Sequence, residues 1–375
     1  MLARHEGQAV FVLGAIPGER VRVRVERVSR QLAFAEVVEV LEPSRDRRNE
    51  TIDLSCGGSL YAHIAYPRQL ALKCDVIADA FARIGKITLA APAAIMASRE
   101  DGYRMRARLH IRGGRIGFFR EGTHDLCDAA ATRQLLPATL DALRRLTAEI
   151  PPADFKEAVS CEVLENIPAD QRAIRIDFSQ SPPAIRGDPR VTDRLVIAGA
   201  STTLVHDVRS FFQGNRWLLP AFAERVVSHI PPGPVVDLYA GVGLFAVSLA
   251  ALGRTDITAV EGDRHSALDL ELNARAYGTS VAVTHAAVET YLDRRSLRAP
   301  ATMVLDPPRT GVSREAMSGI LALKPPRAVY VSCDVATLAR DAKRFVEAGY
   351  RVDHVEAFDL FPNTAHIETL AIFVH

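Results

Sequence analysis

Residues 235–245 read Val-Val-Asp-Leu-Tyr-Ala-Gly-Val-Gly-Leu-Phe, and this stretch decides the fold. Its apolar beginning predicts a buried strand, and its glycines predict a tight turn that leads into a helix. Because Gly241 and Gly243 lack a Cβ, the backbone can turn sharply there and approach a ligand closely. The pattern G-x-G-x-x-A also fits a nicotinamide or flavin dinucleotide, so the turn alone does not identify one ligand.

Beyond about Val196, apolar strand candidates alternate with helical stretches, as in βαβ units around a parallel sheet. The second strand ends near Glu261, eighteen residues after Gly243. A carboxylate at this point can accept hydrogen bonds from both ribose hydroxyls of an adenosine. The predicted strands include Val235-Val236, Ile257 to Val260, Met303 to Leu305 and Ala328 to Val331. This half of the chain is therefore predicted to be an α/β domain with an adenosine-containing ligand.

Three later motifs carry the groups that chemistry needs. Asp306 follows an apolar strand and precedes two prolines, which stiffen the backbone where a parallel sheet opens its ligand crevice. Cys333 also follows a strand; most free cysteines are small buried apolar residues, but polar neighbours on both sides favour a nucleophile here. Strand alternation near the end of the chain places His366 and Glu368 on the same side.

The first half of the chain has a different pattern. Valines alternate with arginines over residues 21–25, which predicts a half-buried strand of a small β-barrel, and the polar run from Glu42 to Glu50 predicts a linker. Over residues 103–111, arginines and a histidine alternate with apolar residues, which predicts one basic face of a sheet. Further arginines are interleaved with aromatic rings, a mixture suited to single-stranded RNA. They are Arg112, Arg115 and Arg120, beside Phe118 and Phe119.

Composition limits the classes of function. A net charge of +1 argues against a uniformly basic nucleic-acid binder and leaves room for a local basic patch. The five cysteines are odd in number and show no C-x-x-C spacing, which indicates neither a disulfide framework nor a zinc knuckle. The apolar run of residues 9–16 is too short to span a membrane. We therefore expect a cytoplasmic protein with no membrane partner and no metal site.

These motifs, in this order and spacing, resemble those of the 5-methyluridine RNA methyltransferases over nearly the whole chain. The N-terminal barrel and the arginine-rich strand resemble that family's small RNA-binding barrel and its central domain. The matching stretches are residues 211–215, 237–243, 260–262, 306–309, 331–333 with 336–341, and 366–368.

The resemblance implies a three-part architecture. A Rossmann-like class I methyltransferase domain is expected over residues 196–375, with a central α+β domain over residues 45–195. An OB- or TRAM-like barrel is expected over residues 1–44, and it begins late, as if its first strand were missing. Packing of the 60–98 segment on the catalytic domain is left open.

The resemblance also implies a reaction in which carbon 5 of a uracil in RNA is methylated with S-adenosylmethionine. Cys333 would add to carbon 6 of the uracil, and Glu368 would remove the proton from carbon 5. We expect the site to depress the pKa of the Cys333 thiol. The residues implied in cofactor binding are Gln213, Tyr239, Glu261 and Asp306, together with the turn at Gly241 and Gly243. RNA is the expected partner, ribosomal RNA rather than transfer RNA, and the protein is expected to be a monomer.

The match is incomplete at two places. Many members of the family hold an iron-sulfur cluster on four cysteines, and the corresponding positions here are Glu50, Cys56, Ser59 and Cys127. Two cysteines cannot hold such a cluster, so we predict none and interpret Cys56 and Cys127 as packing residues. Leu244 occupies a position that is usually polar in the family, so one cofactor contact is expected to be lost.

Three other interpretations stay open from the sequence. A dinucleotide-dependent oxidoreductase would share the glycine-rich turn. A methyltransferase that acts on an amino group would usually carry N-P-P-[YFW] where this chain has residues 306–309, Asp-Pro-Pro-Arg. A non-catalytic RNA-binding protein would not depend on the thiol of Cys333.

Overall fold

The computed structural model describes residues 1–49, 52–149, 159–178, 183–294 and 297–375; Glu50, one of the positions compared above, lies outside them. Within these ranges, the structure contains eight α-helices. None of them is both long and apolar enough to cross a lipid bilayer. The helices are α1 (Tyr66–Ala80), α2 (Pro137–Glu149), α3 (Leu219–Ser228), α4 (Leu244–Ala251), α5 (Arg264–Ala274), α6 (Val288–Leu292), α7 (Arg314–Leu323) and α8 (Val335–Glu347).

An N-terminal sheet of four strands has the order β1-β2-β4-β3. Its strands are β1 (Leu2–His5), β2 (Gln8–Leu13), β3 (Arg20–Val28) and β4 (Leu32–Glu42). The predicted strand of alternating valine and arginine is part of β3, in which Val21 and Val23 are half-buried but Val25 is 53% exposed. The arginines of β3 face glutamates of β4, for example Arg20 and Glu42 at 3.2 Å. Ion pairs therefore neutralise much of the positive charge on this strand.

A central sheet of six strands has the order β11-β10-β9-β6-β7-β8. Its strands are β6 (Arg106–Arg112), β7 (Arg115–Phe119), β8 (Leu126–Asp128), β9 (Val159–Glu165), β10 (Arg172–Asp177) and β11 (Ala184–Arg186). In β6, Ala107, Leu109 and Ile111 are buried while the alternate residues are more accessible, which confirms the predicted alternation. A two-stranded hairpin, β12 (Arg190–Ile197) with β13 (Ala200–Asp207), leads from this sheet to the C-terminal half.

The largest sheet has eight strands in the order β16-β15-β14-β17-β18-β20-β19-β5. They are β5 (Ala94–Met96), β14 (Val235–Leu238), β15 (Ile257–Glu261), β16 (Val281–His285), β17 (Thr302–Leu305), β18 (Arg327–Ser332), β19 (Arg351–Phe358) and β20 (Glu368–Val374). Strands β14 to β18 are parallel, whereas β20 runs antiparallel to β18 and β19. Val235 and Val236 point to opposite faces, where separate apolar cores pack under the helices. The predicted Rossmann-like α/β fold is confirmed.

The segment between the N-terminal and central sheets is attached to the C-terminal half. Strand β5 pairs with β19 at the edge of the eight-stranded sheet. Helix α1 contributes Gln69, whose Nε2 donates to Asn363 Oδ1 at 2.9 Å, and Lys73, whose Nζ lies 2.5 Å from Asp359 Oδ1. The packing of residues 60–98 that the sequence left open therefore joins α1 and β5 to the large sheet. The domain boundaries near residues 44 and 195 stay predictions.

The structure joins Cys56 and Cys127 in a disulfide with a Cα–Cα distance of 5.7 Å. The expectation that these cysteines are only packing residues, with no disulfide in the chain, is therefore wrong. Cys56 forms an isolated bridge with Arg120, next to the pairing of Phe118 with Cys127, so the fold brings the two thiols together. Their sequence separation of 71 residues left no spacing pattern from which to predict the pair.

The Lys73–Asp359 pair generates a prediction about stability. Lys73 and Asp359 have side-chain exposures of 2% and 0%, so the Lys73→Met variant leaves a buried carboxylate without a counter-charge. We expect it to lower the free energy of unfolding by about 3–5 kcal/mol, measured by denaturant titration. Adding Asp359→Leu should restore much of the loss. The exposed pair Arg83–Asp79 is the control, and Arg83→Met should change stability by about 0.3–0.5 kcal/mol.

Candidate functional site

The glycine-rich turn lies at the carboxyl edge of the large sheet. It follows β14, and its residues Tyr239, Gly241 and Gly243 have positive φ values of 61°, 56° and 97°. A Cβ on Gly243 would lie 2.7 Å from Leu270 Cδ1, so packing as well as backbone conformation requires glycine there. A Cβ on Gly241 would meet only the carbonyl of Phe211, at 3.9 Å, so the space above this turn is open to a ligand.

Glu261 ends the neighbouring strand β15 and lies beside the turn. Its Oε2 accepts a hydrogen bond from Gly241 N at 2.7 Å, and its Oε1 accepts one from Asp263 N at 2.6 Å. These bonds fix the orientation of the carboxylate. Burial raises its pKa, an effect that the backbone donors partly oppose. A carboxylate held in this way can still accept hydrogen bonds from two vicinal hydroxyls, because each oxygen has a second lone pair.

Asp237 is a further buried acid near the turn, and the sequence pattern assigns it no role. It lies in β14, and its Oδ2 accepts a hydrogen bond from Ala246 N at 3.1 Å, in the first turn of α4. Its Oδ1 has no hydrogen-bond partner among the described residues, and burial raises the pKa of Asp237 to about 8. The signal in the sequence was an aspartate inside an apolar strand, which is costly to bury without a purpose. Leu244 begins the same helix and is buried in the apolar core.

Asp306 follows β17 and faces Gln213, which lies on the loop after β13. The Gln213 Nε2 donates to Asp306 Oδ2 at 3.5 Å, a long hydrogen bond. Burial raises the pKa of Asp306 to about 7, and the charge of Glu261 adds to the effect while Gln213 opposes it. The structure therefore brings together three of the residues predicted to bind the cofactor. Tyr239 lies half-buried in the glycine-rich turn after β14, and burial raises the pKa of its hydroxyl.

Cys333 directly follows the last residue of β18, and Glu368 is the first residue of β20. The antiparallel register ends with Ser332 paired with Thr369, and Cys333 and Glu368 are the next residues beyond this last pair. Both residues therefore lie at the same end of the ladder. Asp334 then caps α8 by accepting from Thr337 N at 2.8 Å, which fixes the turn that carries the cysteine.

Electrostatics at this pair differ from the expectation. Burial raises the pKa of the Cys333 thiol to about 11; the charges of Glu368 and Asp306 add to the rise, while the Arg309 guanidinium and its hydrogen bond to the thiol oppose it. The prediction of a depressed thiol pKa is wrong for this state. Glu368 is buried, and its pKa is raised well above its usual value by burial and by the charge of Asp306, against the influence of Arg309.

His366 and Arg309 lie near Cys333 and Glu368, and the sequence pattern did not predict their surroundings. His366 lies before β20 and is exposed, whereas Glu368 is buried, so the two groups do not have the same surroundings. Although part of its side chain is accessible to solvent, the protein around the imidazole keeps water from the ring, and this desolvation and the positive charge of Arg309 lower the pKa of His366. Arg309 ends the Asp-Pro-Pro-Arg motif of residues 306–309, and the motif alone predicts no role for it. It is the cation that acts on Cys333, Glu368 and His366 together, and no sequence spacing predicted that.

Comparisons with known proteins agree with this geometry. Residues 292–374 match the family model described as tRNA (Uracil-5-)-methyltransferase, and residues 1–38 match the TRAM domain. The chain is 32% identical over 430 residues to the 23S rRNA (uracil(1939)-C(5))-methyltransferase RlmD of Halomonas elongata, covering 99% of this chain and 86% of that one. It is 31% identical to RlmD of Pectobacterium atrosepticum, covering 100% and 90%.

A solved structure is similar over almost the whole chain. It is the tRNA (uracil-54, C5)-methyltransferase of Pyrococcus abyssi in complex with S-adenosyl-L-homocysteine. The TM-score is 0.77 at 22% sequence identity, and the match covers 99% of this chain and 96% of that one. At this level of identity, the likeness establishes the fold.

The raised pKa of Cys333 predicts slow alkylation at neutral pH. With a pKa of about 11, the rate with iodoacetamide should rise about tenfold per pH unit from pH 7 and level off only near pH 11. Glu368→Gln should move this profile to lower pH, because it removes a negative charge, and Arg309→Ala should move it to higher pH. Mass spectrometry of the Cys333 peptide in a Cys74→Ser background measures the rate. A profile that levels off below pH 8 would contradict the assignment.

Proposed function

Because the chain belongs to the RNA 5-methyluridine methyltransferase family, we propose that it methylates carbon 5 of a uridine in 23S ribosomal RNA. In this proposal, Cys333 is the nucleophile and Glu368 is the base. The observation that carries the proposal is that Cys333 follows β18 and Glu368 begins β20, at the end of the ladder where Ser332 pairs with Thr369. The glycine-rich turn follows β14 in the same sheet, so a nucleophile, a base and an open turn lie at one sheet edge.

Carbon 5 of uracil is too weak a nucleophile by itself, and covalent catalysis divides the difficult step. The Cys333 sulfur adds to carbon 6, and the electron pair of the 5,6 double bond moves to carbon 5 and the neighbouring carbonyl. S-adenosylmethionine, when bound, supplies an electrophilic methyl group. Glu368 then accepts the proton of carbon 5, the double bond forms again, and the bond from Cys333 to carbon 6 breaks. A well-placed base is worth about 10²- to 10⁴-fold in rate.

The raised pKa values define what substrate binding has to change. Cys333 is a thiol in the protein as described, so addition requires loss of its proton. Arg309 is the cation that favours the thiolate, whereas the charge of Glu368 opposes it. Glu368 must lose its own proton to the surrounding water before it can act as a base. Because its pKa is raised, the ionised carboxylate then binds the proton from carbon 5 strongly.

The cofactor would be held by the turn and by the acids around it. The open space above Gly241 fits a ligand that approaches the backbone, and the fixed carboxylate of Glu261 fits the ribose hydroxyls of an adenosine. Gln213 and Asp306, which contact each other, would touch both the cofactor and the uracil, and Tyr239 lies in the glycine-rich turn. The orphaned Oδ1 of Asp237 is a further acceptor for a cationic or donor group.

The choice of ribosomal over transfer RNA is supported by relatives that are named as 23S rRNA enzymes and match nearly the whole chain. Transfer RNA is the second candidate, since the similar structure from Pyrococcus abyssi is that of a tRNA (uracil-54, C5)-methyltransferase. In either RNA, the uridine must be unpaired or flipped out, because a base stacked in a helix cannot reach Cys333.

The described residues do not fit an iron-sulfur cluster at the position known from the family. A cluster needs four ligands, and here Ser59 replaces one cysteine while Cys56 and Cys127 are bonded to each other. Cys74 is a free cysteine whose Sγ donates to Ala93 O at 3.4 Å. The absence of a cluster stays a prediction, and iron and sulfide analysis of an anaerobic preparation would overturn it.

The proposed roles predict different outcomes for two variants. Glu368→Gln can form the bond to carbon 6 but cannot remove the proton from carbon 5, so methylated RNA should stay covalently attached to Cys333. Cys333→Ala should form no adduct with the same RNA. Incubation with total RNA and the methyl donor, followed by denaturing gels and sequencing of the attached RNA, measures both the bond and its target. Sequences from 23S rRNA support the proposal, and tRNA sequences would favour the second candidate.

The proposed cofactor predicts selective stabilisation by ligand. S-adenosylhomocysteine at 100 times its Kd should add about 2.7 kcal/mol to the free energy of unfolding. The change appears as a rise in Tm in a thermal melt, and NAD and FAD should cause none. Glu261→Gln, which weakens the fixed acceptor, should reduce the rise. Stabilisation by NAD alone would instead support the oxidoreductase.

A further inference from the structure

The tip of the β6–β7 hairpin, far from the sheet edge that carries Cys333, forms a shallow basin of about 300 Å³. Arg112, Arg115, Arg120, Asp125 and Leu126 line it. We refer to this basin as the arginine cradle. Its lining is mostly polar and charged, unlike the apolar pockets that take small organic ligands. Three guanidinium groups face one acid, so the cradle favours an anion.

The arginines of the cradle are available to a ligand. Among the described residues, Arg115 makes no ion pair or hydrogen bond and is exposed. Arg112 donates only to His124 O, at 3.4 Å. Arg120 pairs with Asp53 at 2.9 Å, but both side chains are about 40% exposed, and pairs of this kind contribute little stability. A phosphate can therefore displace Asp53, and guanidinium groups match its oxygens with paired donors.

The arginines nearer the large sheet are not available in the same way. Arg106 donates to the carbonyls of Val208 and Ser210, and Arg104 donates to Gln134 Oε1 at 2.6 Å. Arg108 pairs with Glu162. Among the described residues, Arg112 and Arg115 at the tip make no ion pair, and Arg120 makes one with the partly exposed Asp53. This contrast directs an RNA contact to the cradle.

The cradle is held rigidly and has a flat aromatic neighbour. The Cys56–Cys127 disulfide and the hydrogen bond from Glu121 N to Ser55 O, at 2.7 Å, fix the loop that carries Arg120. Beside it, His110 stacks on Phe119 with ring centroids 3.6 Å apart. Burial lowers the pKa of His110, so its ring is neutral and stacks at neutral pH. Rings beside cations are the combination that single-stranded RNA uses.

Strand β6 connects the cradle to the catalytic crevice. At one end, Met105 N donates to Gly214 O at 2.8 Å, next to Gln213 in the crevice. At the other end, Arg112 lies in the cradle, six residues beyond Arg106. From Met105 to Arg112 the chain advances seven residues, and a strand rises about 3.3 Å per residue, so the two ends are about 23 Å apart. An RNA that reaches both points must therefore extend over several nucleotides.

We propose that the arginine cradle binds a phosphodiester of the substrate RNA that lies several nucleotides from the uridine entering the crevice. The inference rests on the proposed function, since it takes the position of the uridine from Cys333. It assigns the hairpin tip the task of setting the position of the RNA, without reading its bases, because phosphate contacts carry no sequence information directly. The enzyme then gains affinity from RNA that is long enough to reach both points.

The test measures binding of a fluorescein-labelled oligouridylate of 20 nucleotides at several salt concentrations. The variant Arg112→Glu with Arg115→Glu should lose at least about tenfold in affinity, and the magnitude of its slope of log affinity against log salt should fall by about 1, because one phosphate contact is lost. Arg186→Glu with Arg194→Glu is the matched control, because both residues are exposed and carry the same charge on β11 and β12. A competing trinucleotide, too short to reach the cradle, should bind both variants equally.

The outcomes separate the cradle from the proposed function. Equal affinity and slope in the cradle variant and the parent, or equal losses in the cradle and control variants, would overturn the cradle. Circular dichroism and thermal melts establish that each variant is folded. The proposed function is measured separately, as a Cys333-dependent adduct with RNA that contains 5-fluorouracil. If the adduct forms but the affinity is unchanged in the Arg112→Glu, Arg115→Glu variant, only the proposal of the cradle is wrong. If the parent protein forms no adduct, the proposed function is wrong.

Discussion

The antiparallel pairing of β18 with β20 is the constraint on which the arrangement of the crevice depends. In a fully parallel sheet, every loop at the carboxyl edge follows a strand, so Cys333 would face only residues that follow other strands. The reversed strand brings the beginning of β20 to that edge, and the register ends with Ser332 paired with Thr369, directly before Cys333 and directly after Glu368. The ladder therefore brings the backbones of the proposed nucleophile and base to the same end of two neighbouring strands.

A second constraint is the concentration of acids in a poorly solvated crevice. The pKa values of Asp237, Glu261, Asp306 and Glu368 are all raised, in each case mainly by burial. Removing water from several carboxyl groups is unfavourable unless a cation or a set of donors compensates. The sulfonium and ammonium groups of the proposed cofactor would supply positive charge to this crevice. The binding of the cofactor is thus expected to be coupled to ionisation of these acids.

The parts of the molecule that follow from local pattern were predictable. Alternation and glycine placement predicted the parallel strands and the turn after β14, and strand ends predicted the common edge that holds Asp306 and Cys333. What depends on distant parts of the chain was not predictable. The Cys56–Cys127 bond spans 71 residues, the raised pKa of Cys333 arises from burial, and Arg106 is occupied by carbonyls about a hundred residues away. The roles of Cys333 and Glu368 came from resemblance and remain proposals.

The edge of the large sheet is closed by a strand from early in the chain. Strand β5 covers β19, and α1 supplies Lys73 to Asp359 across 286 residues. An uncovered edge strand presents a row of free backbone groups to other molecules. During synthesis, α1 and β5 emerge from the ribosome long before β19, so they stay unpaired until β19 has been made. A contact between segments so distant in sequence also slows folding. A fragment that begins after the central sheet would lack this cover and would be prone to self-association through its open strand.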